Sequence, residues 1–263
     1  FPHLTRWVIP FLNIRYNPPL IYRAIWYKEA MDADWQARMR LNAGTMAPVM
    51  LHERHGAMVR FAADATAHTY SALVPTEKYF AKHPEYFSEV NGIRLRYQNQ
   101  LCPTNPDVAD IATETARLWI NSTPGCKIIS ITQNDHGNWC TCKTCSKLIE
   151  KTGALSGPVL HLANEVARRL AKTYPDVLID TFAYAWTEQP PRCIEAHPNV
   201  LVRIAPIGNC FGHPIPTCPV NKKCMNAVST WSKIARHLFV WHYVADFFHY
   251  MAPFPNIPPL EDD

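Results

Sequence analysis

Cys126-Lys-Ile-Ile-Ser-Ile-Thr132, followed at once by Gln133-Asn134-Asp135, is the stretch on which the fold turns. It reads as a continuous buried strand, rich in isoleucine and without regular in-and-out alternation, the pattern of a strand covered on both faces of a parallel sheet. Thr123-Pro124-Gly125 stops the segment before it, and polar residues are delivered at its carboxyl end. Upstream, Asn105 caps a helix whose first turn holds Pro106, and Val108, Ile111, Ala112, Thr115 and Trp119 fall on one face at helical spacing.

The same unit recurs downstream. Ser156-Gly157-Pro158 opens a helix with an apolar stripe of Val159, Ala163, Val166, Ala167 and Leu170, ended by Tyr174-Pro175-Asp176. Strands follow over Val177–Tyr184 and Val200–Ile204, then a helix over Asn221–Ile234 leads into Leu238-Phe239-Val240-Trp241. Towards the amino terminus, Ile21–Trp26 reads as a first strand and Asp34–Leu41 as a helix, with weaker strands at Thr69–Val74 and Gln100–Cys102. Alternation of this kind gives an α/β fold, and about seven strands in order point to a (β/α)8 TIM-type barrel truncated before its eighth strand. The expected organisation is one incomplete barrel domain over residues 1–263, with a lead-in segment over 1–19. An opening Phe1-Pro2 and an ending at Leu260-Glu261-Asp262-Asp263 read as those of an excised piece. The competing doubly wound sheet lacks a G-x-G-x-x-G first turn.

Composition narrows the partners. A formal charge of +4, with 18% charged residues spread without basic runs, lacks the footprint of a nucleic-acid binder. No apolar stretch approaches the roughly 20 residues of a membrane helix. Twenty-three prolines, 12 histidines and 8 tryptophans suit long loops around a sugar-stacking site.

Parallel barrels carry their chemistry at the carboxyl ends of strands. Asn134-Asp135 is the leading pair: a carboxyl able to pass a proton, beside a carboxamide able to fix a reacting group. The plainer alternative is that Asp135-His136-Gly137 only turns the loop. Burial at the strand end beside Trp139 is expected to raise the Asp135 carboxyl to the range of a general acid. Arg23, Trp26, His68, Tyr184, Trp186, Trp241, His242 and Tyr243 stand at other strand ends and would line a glycan cleft, aromatic faces stacking on sugar rings while Arg and His bond hydroxyls.

Cys140, Cys142 and Cys145 lie within six residues. They suit a structural zinc completed by His136, Cys102 or Cys210, and equally suit disulfides or reduced thiols. Neither H-E-x-x-H nor a three-histidine pattern accompanies them, which argues against a catalytic zinc, and no cofactor is expected to be required for catalysis. Cys210, Cys218 and Cys224 form a looser group without an assignable spacing.

Ile129 to Asp135, Gly137-Asn138-Trp139-Cys140 and Cys142–Cys145 resemble the domain-of-unknown-function 4838 group, part of which is classed as glycoside hydrolase family 163. Further matches are His83-Pro84-Glu85-Tyr86-Phe87, Leu101 to Pro106, Ser156-Gly157, Pro190-Pro191 and Phe254-Pro255-Asn256. The resemblance implies an exported bacterial barrel, periplasmic or extracellular, with retaining endo-β-N-acetylglucosaminidase activity on complex N-glycans. By analogy with hexosaminidase barrels, Asn134 would orient the substrate's acetamide as nucleophile and Asp135 would be the acid/base. His242 departs from the family's Trp-Asp-Tyr pattern, and a further Glu is expected on an eighth strand beyond Asp263. The alternative function is a non-catalytic glycan-binding or degenerate barrel, and a third class, zinc-dependent hydrolysis, would need the cysteines at the reaction centre.

Overall fold

The computed structural model describes residues 11, 13, 20–26, 28–43, 58–243 and 249. Two compact units divide the chain, Phe1–Val59 and Arg60–Asp263. In the first, α1 (Ala33–Arg38) begins where Asp32 accepts the Trp35 N–H at 2.6 Å. It stops short of the expected Leu41 because Arg40 takes a left-handed φ of 58°. The anticipated strand Ile21–Trp26 does not form. Its backbone is bound instead by Asn42, whose side chain accepts from Arg23 N and donates to Ile21 O. Most of the lead-in segment 1–19 lies outside the described residues.

The second unit opens with two short helices, α2 (Tyr70–Leu73) and α3 (Thr76–Tyr79), and the hairpin β1 (Glu89–Val90) and β2 (Ile93–Arg94). Beyond them run α4 (Pro106–Ser122), β3 (Ile128–Ser130), α5 (Lys143–Thr152), α6 (Ser156–Leu170), β4 (Leu178–Tyr184), β5 (Val200–Ala205), α7 (Lys222–Ile234) and β6 (His237–Val240). Strands β3-β4-β5-β6 lie side by side in chain order and every pair is parallel. Phe61 makes a further parallel bridge to Ile128, on the outer side of β3. The fold is therefore mixed α/β, and among the described residues the sheet shows no reversal of strand order of the kind that marks a doubly wound fold.

Local chemistry explains these elements. Asn105 accepts the Asp107 N–H at 2.9 Å and Pro106 occupies the first turn of α4, so both helix-start signals operate. Val108, Ala109, Ala112, Ala116 and Ile120 turn inward, with Ile111 and Trp119 packing at the margin. Helix α6 is buried over most of its circumference, and every residue of β5 is buried, as expected of a parallel strand covered on both faces.

Two further expected strands are corrected. Thr69–Val74 contains the helix α2, because Thr69 N and Tyr70 N both bond Thr132 O and the chain then turns to bury Tyr70 and Leu73, three residues apart, on one face. A β-branched residue at either end of a six-residue stretch carries too little periodicity to show this in advance. Gln100–Cys102 is no barrel strand either: Leu101 bridges Phe87 in antiparallel sense, and Cys102 N donates to Tyr86 O.

Candidate functional site

Beyond the carboxyl end of β3 the chain runs Thr132-Gln133-Asn134-Asp135 without regular structure, and a buried glutamine clamps its far end. Gln100 is 1% exposed. Its amide nitrogen donates to the carbonyls of Asn134, His136 and Gly137 at 2.9, 2.8 and 3.2 Å, while its oxygen accepts the Asn134 N–H at 3.0 Å. This clamp fixes the loop that presents Asp135. Nothing in the sequence marked Gln100, because its role depends on a partner 34 residues away.

Asp135 is 63% exposed on its side chain. Trp139 does not bury it, as the sequence had led one to expect, but packs on Trp186 with ring centroids 5.6 Å apart, and Trp186 Nε1 donates to His136 O at 3.1 Å. Trp186 therefore supports the back of the loop. Two side chains address Asp135 directly: Tyr184, at the end of β4, donates its hydroxyl to Oδ1 at 3.1 Å, and His68 Nε2 stands 4.0 Å from the same oxygen. His68 Nδ1 lies 2.8 Å from Gln133 O, and a carbonyl only accepts, so Nδ1 carries the hydrogen and Nε2 is left facing the carboxyl. Attraction between Nε2 and Asp135 then requires a second proton on the pair.

Aromatic faces surround this group. Phe182 meets His68 edge-on at 5.2 Å and Tyr184 at 6.1 Å. Phe211 stands 5.8 Å from His242 and 5.7 Å from Tyr243. Burial, with the negative charge of Asp135 adding to it, holds the Tyr184 phenol above its ordinary range; burial followed by Tyr184 and Asp135 does the same for Tyr243. Phe182 and Phe211 escaped sequence reasoning, the first as an apolar residue inside a strand, the second within a proline-rich loop.

A buried ion pair lies in the sheet behind the rim. Arg203 on β5 donates from Nε and Nη2 to Asp180 on β4 at 3.1 and 2.5 Å, with the two residues 1% and 0% exposed. The rings of Phe61, Phe182, Phe239 and Trp241 lie 5.1, 5.0, 4.8 and 5.6 Å from the guanidinium carbon. Trp241 is thus drawn onto Arg203. Burial, only partly opposed by Arg203, pushes the Asp180 carboxyl up to about 6.

His68, Asp135, Tyr184 and Tyr243 are brought together, with His242 joined to them through Phe211. Asn134, though adjacent in sequence, directs its carboxamide to the protein itself, accepting from Ser71 N at 3.2 Å and donating to Asn99 O at 2.8 Å. Arg23 and Trp26 belong to the first unit, where Arg23 Nε donates to Arg40 O at 2.7 Å and Trp26 is exposed.

The cysteines form a separate centre. Cys140, Cys142 and Cys145 converge with Cys102, all buried, and their four sulfurs lie within 4.8 Å of one another. Cys102 Sγ is 3.7 Å from Cys142 and 3.8 Å from Cys145. Those spacings are far beyond a disulfide bond and match the edge of about 3.8 Å in a tetrahedron of thiolates around zinc. Of the three candidates for a fourth member, Cys102 fills the place. Glu89 N and Arg94 Nη1 approach Cys140 Sγ at 3.4 and 3.7 Å, so hydrogen donors face the sulfur where thiolate charge would gather. Hydrogen bonds from Cys140 and Cys145 pull the Cys102 thiol down to about 4, against its burial. The donor set fits a structural metal that would tie the loop before α4 to the start of α5, with the hairpin β1–β2 hydrogen-bonded to one of its sulfurs.

A parallel α/β sheet with an acid, an imidazole and a phenol at its carboxyl edge, braced by a buried four-cysteine centre, describes the class of protein. Residues 1–263 match the family described as a domain of unknown function, DUF4838, and the chain belongs to it. No curated protein and no solved structure matches the chain. Among the described residues, no helix is long and apolar enough to cross a membrane.

Proposed function

We propose that the chain is a glycoside hydrolase acting on GlcNAc-containing complex glycans with retention, its sheet forming part of a (β/α)8-type barrel. The observation that carries the reading is the constellation of Tyr184 and His68 on Asp135 at the carboxyl ends of parallel strands, walled by aromatic rings. Sequential parallel strand order supports the barrel. Asp135, held by Tyr184, gives its proton to the glycosidic oxygen as the bond to the anomeric carbon breaks. In the substrate-assisted form the acetamide oxygen of the substrate closes on that carbon, and water later opens the ring while Asp135 takes its proton back. A bound sugar would cover this exposed carboxyl and exclude water from the proton transfer. His68 and Tyr243 would bond the sugar hydroxyls. Zinc is the ion we assign to the four cysteines, with a structural role, because thiolate-only tetrahedral sites favour it. Export to the periplasm or the extracellular space goes with this reading.

Incubating the protein with a panel of released glycans and identifying products by mass tests this, and cleavage next to GlcNAc is the expected result. A second reading, a glycan-binding barrel without turnover, is favoured by Asn134, whose carboxamide would have to give up two backbone hydrogen bonds to orient an acetamide. Saturable glycan binding with no product at any enzyme concentration selects that reading.

A further inference from the structure

The loop between β5 and α7 holds a second cluster that neither the proposed reaction nor the four-cysteine centre uses. Cys210, His213 and Cys218 each offer one ligand atom, and these atoms lie within 4.8 Å of one another, Cys210 Sγ standing 3.2 Å from His213 Nδ1. Sulfur and nitrogen donors sharing one zinc sit about 3.5–3.8 Å apart, given metal distances of about 2.3 and 2.0–2.1 Å, so side-chain rotation alone brings the three onto an ion.

The loop is built to hold this arrangement. Asn221, fully buried at the start of α7, grips Cys210 from both sides: its oxygen accepts the Cys210 N–H at 2.8 Å and its nitrogen donates to Cys210 O at 2.9 Å. Asn221 N in turn donates to Cys218 O at 3.0 Å, and Cys218 N to Pro214 O at 3.1 Å. One buried residue, through its side chain and its main-chain N–H, therefore fixes both cysteines. Prolines at 214, 216 and 219 stiffen the chain between and beside them.

We infer that Cys210, His213 and Cys218 form a second zinc site, with two thiolates, one imidazole and a fourth position open to water or another exogenous ligand. Borderline-soft donors of this mixture select zinc over magnesium or calcium. Phe211 lies between the first two ligands in sequence, and its ring stands against His242 and Tyr243. The ion thus fixes one aromatic wall of the rim. Its role in glycan binding rests on the function proposed above, whereas the site itself does not.

The test compares zinc per chain in the reduced, zinc-reloaded and desalted protein with that in His213→Ala and Cys210→Ser. His213 is exposed, so its replacement leaves the core intact. The expected result is one equivalent less in each variant than in the parent, whatever the four-cysteine centre retains. In parallel, zinc should slow iodoacetamide labelling of Cys210 and Cys218 by about tenfold or more in the parent, since a coordinated thiolate is a poor nucleophile. That protection should disappear in His213→Ala. Equal zinc content in parent and variants overturns the proposal, as does a Cys210–Cys218 disulfide in the protein as isolated without reductant, or labelling that zinc leaves unchanged. Failure of glycan cleavage leaves these readouts unaffected.

Discussion

Replacing Asp180 with Ala should destabilise the protein heavily, because it leaves the Arg203 guanidinium, 1% exposed, without its anion. Both hydrogen bonds of the pair are lost, at 3.1 and 2.5 Å. Removing one partner of a buried pair costs about 3–5 kcal/mol, mainly from the stranded charge. The four rings around Arg203 offset part of that, at about 0.5–2 kcal/mol for a desolvated cation on an aromatic face. The net expectation is a loss of about 2–4 kcal/mol, which for a chain of this size lowers the melting temperature by roughly 5–15 °C. Replacing both members, Asp180→Ala with Arg203→Met, should recover part of the loss, since no charge then remains buried. Urea unfolding at pH 7.5, followed by tryptophan fluorescence, measures both. An Asp180→Ala variant within 0.5 kcal/mol of the parent, or a double variant less stable than the single one, would refute the reasoning; the 0.5 kcal/mol bound is about that of a neutral surface change.

The same carboxyl gives a pH test. Because burial raises Asp180 from 3.8 to about 6 in the folded chain, the folded form binds its proton more tightly than the unfolded form. Its contribution to stability is therefore greatest below about pH 4, declines as pH rises to about 6, and is level above. Subtracting the Asp180→Asn profile from the parent's over pH 4–7 should leave that decline, and a flat difference refutes it. Gln100→Ala should cost about 2–4 kcal/mol, since four hydrogen bonds to the Asp135 loop are lost. Faster amide exchange at residues 134–138 is the accompanying sign, and unchanged exchange would deny the clamp. Cys102→Ser should release one equivalent of zinc and lower the melting temperature; unchanged metal content would remove Cys102 from the centre.

The elements flanking the site were legible where local chemistry decides. Asn105-Pro106 announced α4, and the predominantly apolar runs announced β3, β4 and β5. Thr69–Val74 was misread because contact with Thr132, far along the chain, decides its shape. Ile21–Trp26 has strand propensity but no partner strand among the described residues, so Asn42 binds its backbone instead. Asp135 and Tyr184 were legible as strand-end polar residues, whereas their pairing was not. The cysteine cluster was visible from three close thiols, while Cys102 stood as one of three candidates until the chain folded. Asp180 and Arg203 sit inside apolar strands, where a charge is noticed but its partner on the next strand cannot be read.

Asp135→Asn, assayed beside the parent on a natural glycan and on a substrate with an activated aryl leaving group, tests the central claim most directly. General acid catalysis contributes about 10²-fold or more, so the natural glycan should be cleaved slower by at least that factor, and the aryl glycoside, which needs little protonation, should be spared at its first step. Full turnover of the natural glycan by a correctly folded Asp135→Asn variant would contradict the account.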